Sequence, residues 1–161
     1  MRLFLLTTLF VFTGTLYAQQ KVYISPSAGI LSMSDESVKN MFYSEVTAGY
    51  RLFHKANHAL FHNMSVDITA GYGKSSVNDL YILALALSPG RFSSEKLFIE
   101  SSIGGGLQKM DGSSTRGIFF LEAKSGYYIT PAFGIGIGVK GYVTKKSYSS
   151  TIGNLFLAFR F

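Results

Sequence analysis

The sequence of 161 residues has no cysteine, no tryptophan and only three prolines. Without cysteine there is no disulfide framework, no thiolate-held metal and no thiol for lipoprotein attachment. Charge is also scarce: Asp, Glu, Lys and Arg make up 15% of the chain and are scattered, so nothing resembles the basic stripe that tracks a nucleic-acid backbone. No nucleic-acid partner is expected. A long apolar run is missing too, since the stretch 3–12 falls short of the ~20 residues that a membrane-spanning helix needs. Yet 47% of the residues are hydrophobic. Apolar surface of that extent without a spanning helix has to be distributed some other way.

At the N-terminus Arg2 precedes the apolar run, and Thr15-Leu16-Tyr17-Ala18 offers the small residues that a signal peptidase reads. Residues 1–18 are expected to be a secretory signal peptide. Cleavage after Ala18 leaves 19–161 as one domain of about 140 residues, enough to bury a core. That domain is rich in glycine, phenylalanine and tyrosine, which suits a transmembrane β-barrel whose apolar residues face lipid at every second position.

Alternation of period two recurs eight times, over 21–31, 42–53, 60–73, 80–88, 97–108, 117–129, 133–144 and 154–161. In the second segment Phe42, Ser44, Val46, Ala48, Tyr50 and Leu52 oppose Tyr43, Glu45, Thr47, Gly49 and Arg51. The fourth is apolar on both faces and alternates by size, with Tyr81, Leu83, Leu85 and Leu87 against Ala84 and Ala86. Pro26 cannot donate a ladder hydrogen bond, so the first strand should carry a bulge or a locally broken pairing there. Ser88-Pro89-Gly90 reads as a turn, and so does Thr130-Pro131-Ala132. The fold class that follows is all-β, an eight-stranded antiparallel up-and-down transmembrane β-barrel.

Alternation alone fits equally a soluble, lipocalin-like barrel with Leu83, Leu85, Ile135 and Ile137 inside. The charges favour a polar lumen. On the polar faces of the strands stand four acids, Glu45, Asp67, Glu100 and Glu122, and four bases, Arg51, Lys124, Lys140 and Arg160. A narrow interior requires such parity, because an unpaired buried charge costs several kcal/mol. Adjacency of sequential strands brings Glu122 and Lys124 beside Lys140 and sets Glu45 near Asp67, while the long guanidinium groups of Arg51 and Arg160 can span a small barrel and converge on Glu100. Gly104, Gly106, Gly134, Gly136 and Gly138 would leave room for long side chains crossing the lumen. Eight strands leave an interior just wide enough for side chains to fill, so the lumen is expected to be plugged. Aromatics near strand ends, Phe42, Tyr50, Phe53, Tyr72, Tyr81, Phe98, Tyr127, Phe133, Phe159 and Phe161, would form the interfacial girdles.

The last stretch, 154–161, reads NLFLAFRF, with Leu155, Leu157, Phe159 and Phe161 on one face. It resembles the closing strand of bacterial outer-membrane β-barrels, with Phe159 and Phe161 in the place of their assembly signal. Signal peptide, eight amphipathic strands and closing aromatic strand together resemble the small OmpA/OmpX-type barrels. The resemblance implies a bacterial outer-membrane location, biogenesis through the barrel-assembly machinery, contact with outer-membrane lipid and lipopolysaccharide, and a monomer. Without Arg2 the chain carries 14 Lys+Arg against 9 Asp+Glu, a net +5 that suits lipopolysaccharide phosphates. A non-enzymatic structural or surface-interaction role is expected, with no cofactor. Two alternatives stand beside it, a lipid A-modifying enzyme and a soluble periplasmic lipocalin-like binder. His54, His58 and His62 straddle a predicted turn rather than one helical face, so they read as turn and interfacial residues, not metal ligands. The FGIGIGVKG string continues at period two and opens no helix, which argues against a dinucleotide site.

Overall fold

A computed structural model describes residues 21–34, 40–52, 64–76, 78–93, 96–144 and 149–161, with the backbone alone at 90–93. The expected signal peptide, Phe53, the three histidines and Lys145–Lys146 lie outside the described residues. Eight strands follow one another, β1 (Val22–Met33), β2 (Asn40–Arg51), β3 (Ser65–Lys74), β4 (Asp79–Ser93), β5 (Leu97–Met110), β6 (Arg116–Thr130), β7 (Phe133–Thr144) and β8 (Ser149–Arg160). Each pairs antiparallel with its sequence neighbours, and β1 pairs with β8 to close the barrel. Closure leaves no edge strand, which hydrocarbon demands and an open sheet cannot provide. Connections β1/β2, β3/β4, β5/β6 and β7/β8 share one end of the barrel, the loop end. The other three lie at the opposite, turn end.

Several strands run further than apolar alternation indicates. β8 begins at Ser149, five residues before the expected start, because the hydroxyl-rich stretch Ser149-Ser150-Thr151 finds ladder partners in both β1 and β7. The expected turn at Ser88-Pro89-Gly90 is instead a β-bulge: the register of β4 against β5 shifts between Leu87 and Gly90, and β4 continues to Ser93. Proline lacks the donor and glycine tolerates the irregular backbone, so the same residues that make turns also make bulges. The turn at Pro131-Ala132 stands where the sequence puts it.

At Pro26 the pairing lapses on one side only. β1 keeps an unbroken register with β2, whereas its ladder with β8 skips Ser25 and Pro26 and resumes in the same register at Ser27↔Phe156. That register would set Pro26 opposite Leu157, whose carbonyl loses the N–H it would otherwise accept. Ser25 Oγ donates to the Leu157 carbonyl instead, at 2.8 Å. Ser25→Ala should leave this carbonyl unsatisfied and cost about 1–3 kcal/mol, measured as a lower urea midpoint for unfolding from vesicles; an unchanged midpoint would mean that another donor takes its place.

Alternation sorts the wall cleanly. Outward side chains include Ile30, Val46, Ile68, Leu83, Leu85, Leu121, Ile135, Ile137, Val139 and Leu155, all exposed. The soluble alternative required four of these inside, so it is overturned. Aromatic pairs mark both ends of the band, Tyr72 with Tyr81 at 5.4 Å between ring centroids near the loop end and Phe133 with Phe159 at 5.2 Å near the turn end. Phe98, expected in a girdle, is 2% exposed and points inward, where it packs with Tyr128 and Phe156. Its neighbours Leu97 and Ile99 take the outward positions.

Inside, the lumen divides into tiers. At the loop end Leu31, Met41, Tyr43, Leu80, Ile82, Ile118, Phe120, Tyr142 and Ile152 form an apolar plug. Near the turn end Phe98, Tyr128, Phe156 and Ala158 form a smaller one. The glycines accommodate these rings more than long charged chains: a Cβ at Gly104 would meet Phe120, one at Gly126 would meet Phe98, and one at Gly136 would meet Phe156.

Candidate functional site: the charged lumen tier

Below the loop-end plug lies the polar tier, which shares its level with the smaller cluster: Glu100 and Lys124 line one small cavity with Phe98, Tyr128, Phe156 and Ala158, and Arg51 and Arg160 end β2 and β8 at the turn end. Glu45, Arg51, Asp67, Glu100, Glu122, Lys124 and Lys140 are all buried and Arg160 is half-buried, so the structure directs the eight sequence-selected charges inward. The strand register builds the first cluster. It sets Glu122 of β6 opposite Lys140 of β7, with Lys124 two positions along on the same face. Glu122 pairs with Lys124 at 3.1 Å and with Lys140 at 3.4 Å. Lys140 then reaches across the lumen to β2, donating to both oxygens of Glu45 at 2.7 and 2.8 Å. Its ammonium also lies 5.1 Å from the Phe120 ring centroid, so an aromatic face closes the remaining side.

Glu45 and Asp67 do not meet. The β2–β3 register places Glu45 opposite Gly71 and Asp67 opposite Gly49, and the two carboxylates take different partners. Glu45 has Lys140 and the Tyr43 hydroxyl, which donates at 3.1 Å. Asp67 accepts from the hydroxyls of Tyr23 and Ser88, the latter at 2.9 Å, and Ser88 in turn lies 2.8 Å from Ser102 Oγ. Nearby Thr47 and Thr69 hydroxyls are 2.9 Å apart. Glu100 stands opposite Lys124 in the β5–β6 ladder. The two arginines lie on aromatic faces, Arg160 with its Cζ 3.2 Å from the Tyr128 centroid and Arg51 5.8 Å from that of Tyr23.

Charge matching on its own misses the tyrosines and serines that complete this tier. Tyr23, Tyr43, Tyr128 and Tyr142 fall on the polar face by alternation, and that was the available signal: an inward tyrosine beside an acid is a donor in waiting. Gly71 makes room for one of them, since a Cβ there would fall against the Tyr43 hydroxyl. Gly71→Ala should displace Tyr43 from Glu45 and cost ~1–3 kcal/mol. Gly153→Ala is the matched control, because a Cβ there meets nothing within 4 Å. Equal urea midpoints for the two variants would contradict this packing.

Chemically the tier is a set of neutralised charges with little free space. A cavity of about 20 Å³ beside Glu100 and Lys124 has room for roughly one water molecule. Among the described residues no group of three His, Asp or Glu side chains could hold a metal. The acids that fall within the apolar band all point inward, so among the described residues no carboxylate stands on the lipid-facing wall between the aromatic girdles.

No protein-family model matches the chain and no curated protein matches it. Solved structures do. The chain is similar to the crystal structure of Neisserial surface protein A (TM-score 0.70, 14% identity, covering 87% of this chain and 97% of that one). The fold is that of the small bacterial outer-membrane β-barrels. Ail, the attachment invasion locus protein of Yersinia pestis, is similar at TM-score 0.62 and 15% identity, over 88% of this chain and 98% of that one. So is the outer membrane enzyme PagL, at 0.54 and 10%, over 84% and 98%. A barrel with this fold, an apolar outer band and aromatic girdles is built to span a lipid membrane.

Proposed function

We propose that this protein is a non-enzymatic, monomeric outer-membrane barrel with a structural or surface-interaction role in the envelope, exported by cleavage after Ala18 and assembled with Phe159 and Phe161 as its signal. The observation that carries this reading is the filled lumen, with an apolar plug at the loop end and paired charges packed beside a second apolar cluster toward the turn end. Planar-bilayer recordings of the reconstituted chain should therefore be silent; discrete conductance steps would overturn the plugged lumen. PagL has this fold and is an enzyme, so the lipid A-modifying alternative stays in view. Lipid A mass spectra from a deletion strain should match those of the parent, and a changed acylation pattern would favour the enzyme.

For the surface role the supporting feature is the loop end, where Lys74 and Lys109 are exposed and Lys145 and Lys146 are close in sequence. Ail has been crystallised with the heparin analogue sucrose octasulfate, a polyanion. Lipopolysaccharide phosphates are the corresponding partner for this chain. Association with lipopolysaccharide-containing vesicles should weaken as salt rises and the Debye length shrinks from ~10 Å at 0.1 M. Changing the four lysines to glutamine should remove the salt-sensitive part. Unaltered binding would refute the basic rim.

A further inference from the structure

The outer wall is not equally smooth: one hollow of about 540 Å³ lies over β6 and β7, and a longer one in two parts lies beside it. Over the β1–β8–β7 sector an open furrow of about 550 Å³ is lined on its outer side by Pro26, Ala28, Ile135, Ile137, Leu155 and Leu157. The other part, of about 520 Å³, shares Ala28, Ile137 and Leu155 with it and continues past Ile30 and Gly153. Small residues make the floor and large ones the banks. Two positions beyond Ile30 and Gly153 toward the loop end stand Ser32 and Thr151, exposed hydroxyls that face each other across the β1–β8 ladder.

The floor is free of stray polarity at its weakest point. Pro26 has no N–H to expose, and the Leu157 carbonyl that the broken ladder would leave open to the furrow is taken from within by Ser25. Hydrocarbon tolerates such a floor, whereas an unsatisfied carbonyl would not be tolerated. Lipid tails are as apolar as leucine, so no hydrophobic force distinguishes one part of this wall from another. Shape does. A chain in a furrow meets carbon on three sides and gains dispersion contacts that a chain on a convex wall forgoes.

We propose that this furrow is a binding site for a single acyl chain of a membrane lipid, running from the Pro26 gap toward the loop end with its polar end at Ser32 and Thr151. The inference rests on the reading that this wall faces lipid. It goes further in assigning one sector of the wall a retained lipid rather than a fluid coat.

The test uses the full chain folded into phosphatidylcholine vesicles that contain a small fraction of phosphatidylcholine carrying a diazirine on one acyl chain. After irradiation, adducts are mapped by peptide mass spectrometry. Severalfold more adducts are expected on the Ala28 and Leu155 peptides than on the Ile68 and Leu83–Leu85 wall of β3 and β4. The double change Ala28→Leu, Gly153→Leu fills the floor from the outside and should bring furrow labelling down to the level of that wall, while heat-modifiable gel mobility stays intact. Equal labelling of both walls in the parent would overturn the site, leaving only ordinary solvation by lipid. A dimer in analytical ultracentrifugation of the detergent-folded chain that the double change dissociates would overturn it in favour of a second copy as occupant. A chain that shows neither heat-modifiable mobility nor labelling anywhere would instead refute the membrane-barrel reading on which the inference rests.

Discussion

Lys140→Met should destabilise the barrel by about 3–5 kcal/mol, the range for removing one partner of a buried ion pair. Lys140 is 1% exposed and holds both oxygens of Glu45, which is buried as deeply on the far wall, and it also contacts Glu122. Glu122 keeps Lys124, whereas Glu45 keeps the Tyr43 hydroxyl. A carboxylate left so would have to ionise without a cation or take up a proton. The double variant Glu45→Gln, Lys140→Met removes both charges and should recover most of the loss. Urea titration of vesicle-folded protein, followed by heat-modifiable mobility, measures both. A single variant no less stable than the double would show that water or another cation reaches Glu45, and the dry charged tier would have to be abandoned.

Ile137→Arg should cost ~2–4 kcal/mol if residue 137 sits near the bilayer midplane. Ile137 is 63% exposed on the outer wall, between Ile135 and Val139 along β7 and opposite Leu155 of β8. In lipid the guanidinium would have to stretch toward an interface or draw water inward. Ser32→Arg at the loop-end rim should cost ~0–1 kcal/mol, since the penalty falls off with depth. Two equal losses, or none, would place this sector of the wall outside the hydrocarbon.

How far the sequence carries these conclusions differs between wall and lumen. The wall was legible because lipid imposes one requirement on every outward position, and a period of two states it directly. Strand ends were less so: Ile152 alone is apolar between Ser149 and Gly153, too little to show alternation, and only pairing on both sides makes them strand. Proline at 89 signalled irregular backbone correctly but not its kind, since a turn and a bulge use the same missing donor. Within the lumen, direction was legible and partnership was not. Alternation turned Glu45 and Asp67 inward, but their partners depend on register, which set Glu45 against Gly71 and Asp67 against Gly49, and on which side chain reaches across. The apolar plug was hidden for a related reason. Leu80, Ile82, Ile118 and Phe120 make their strands apolar on both faces near the loop end, a pattern that by itself does not say which face meets lipid.

The crossing bond between Lys140 and Glu45 has a further consequence for the order of events in folding. The two residues are 95 apart in the chain and belong to β7 and β2, strands that are not neighbours in the sheet. Hairpins can form between sequential strands without bringing these side chains together; only curling of the whole sheet into a cylinder does so. Their contact is therefore expected to be absent while the hairpins assemble and to arise as the cylinder closes. Interactions made after the transition state govern escape from the native state rather than arrival at it. On that basis the pair acts as a late latch, setting how long a completed barrel persists while leaving the speed of its insertion largely to the hairpins.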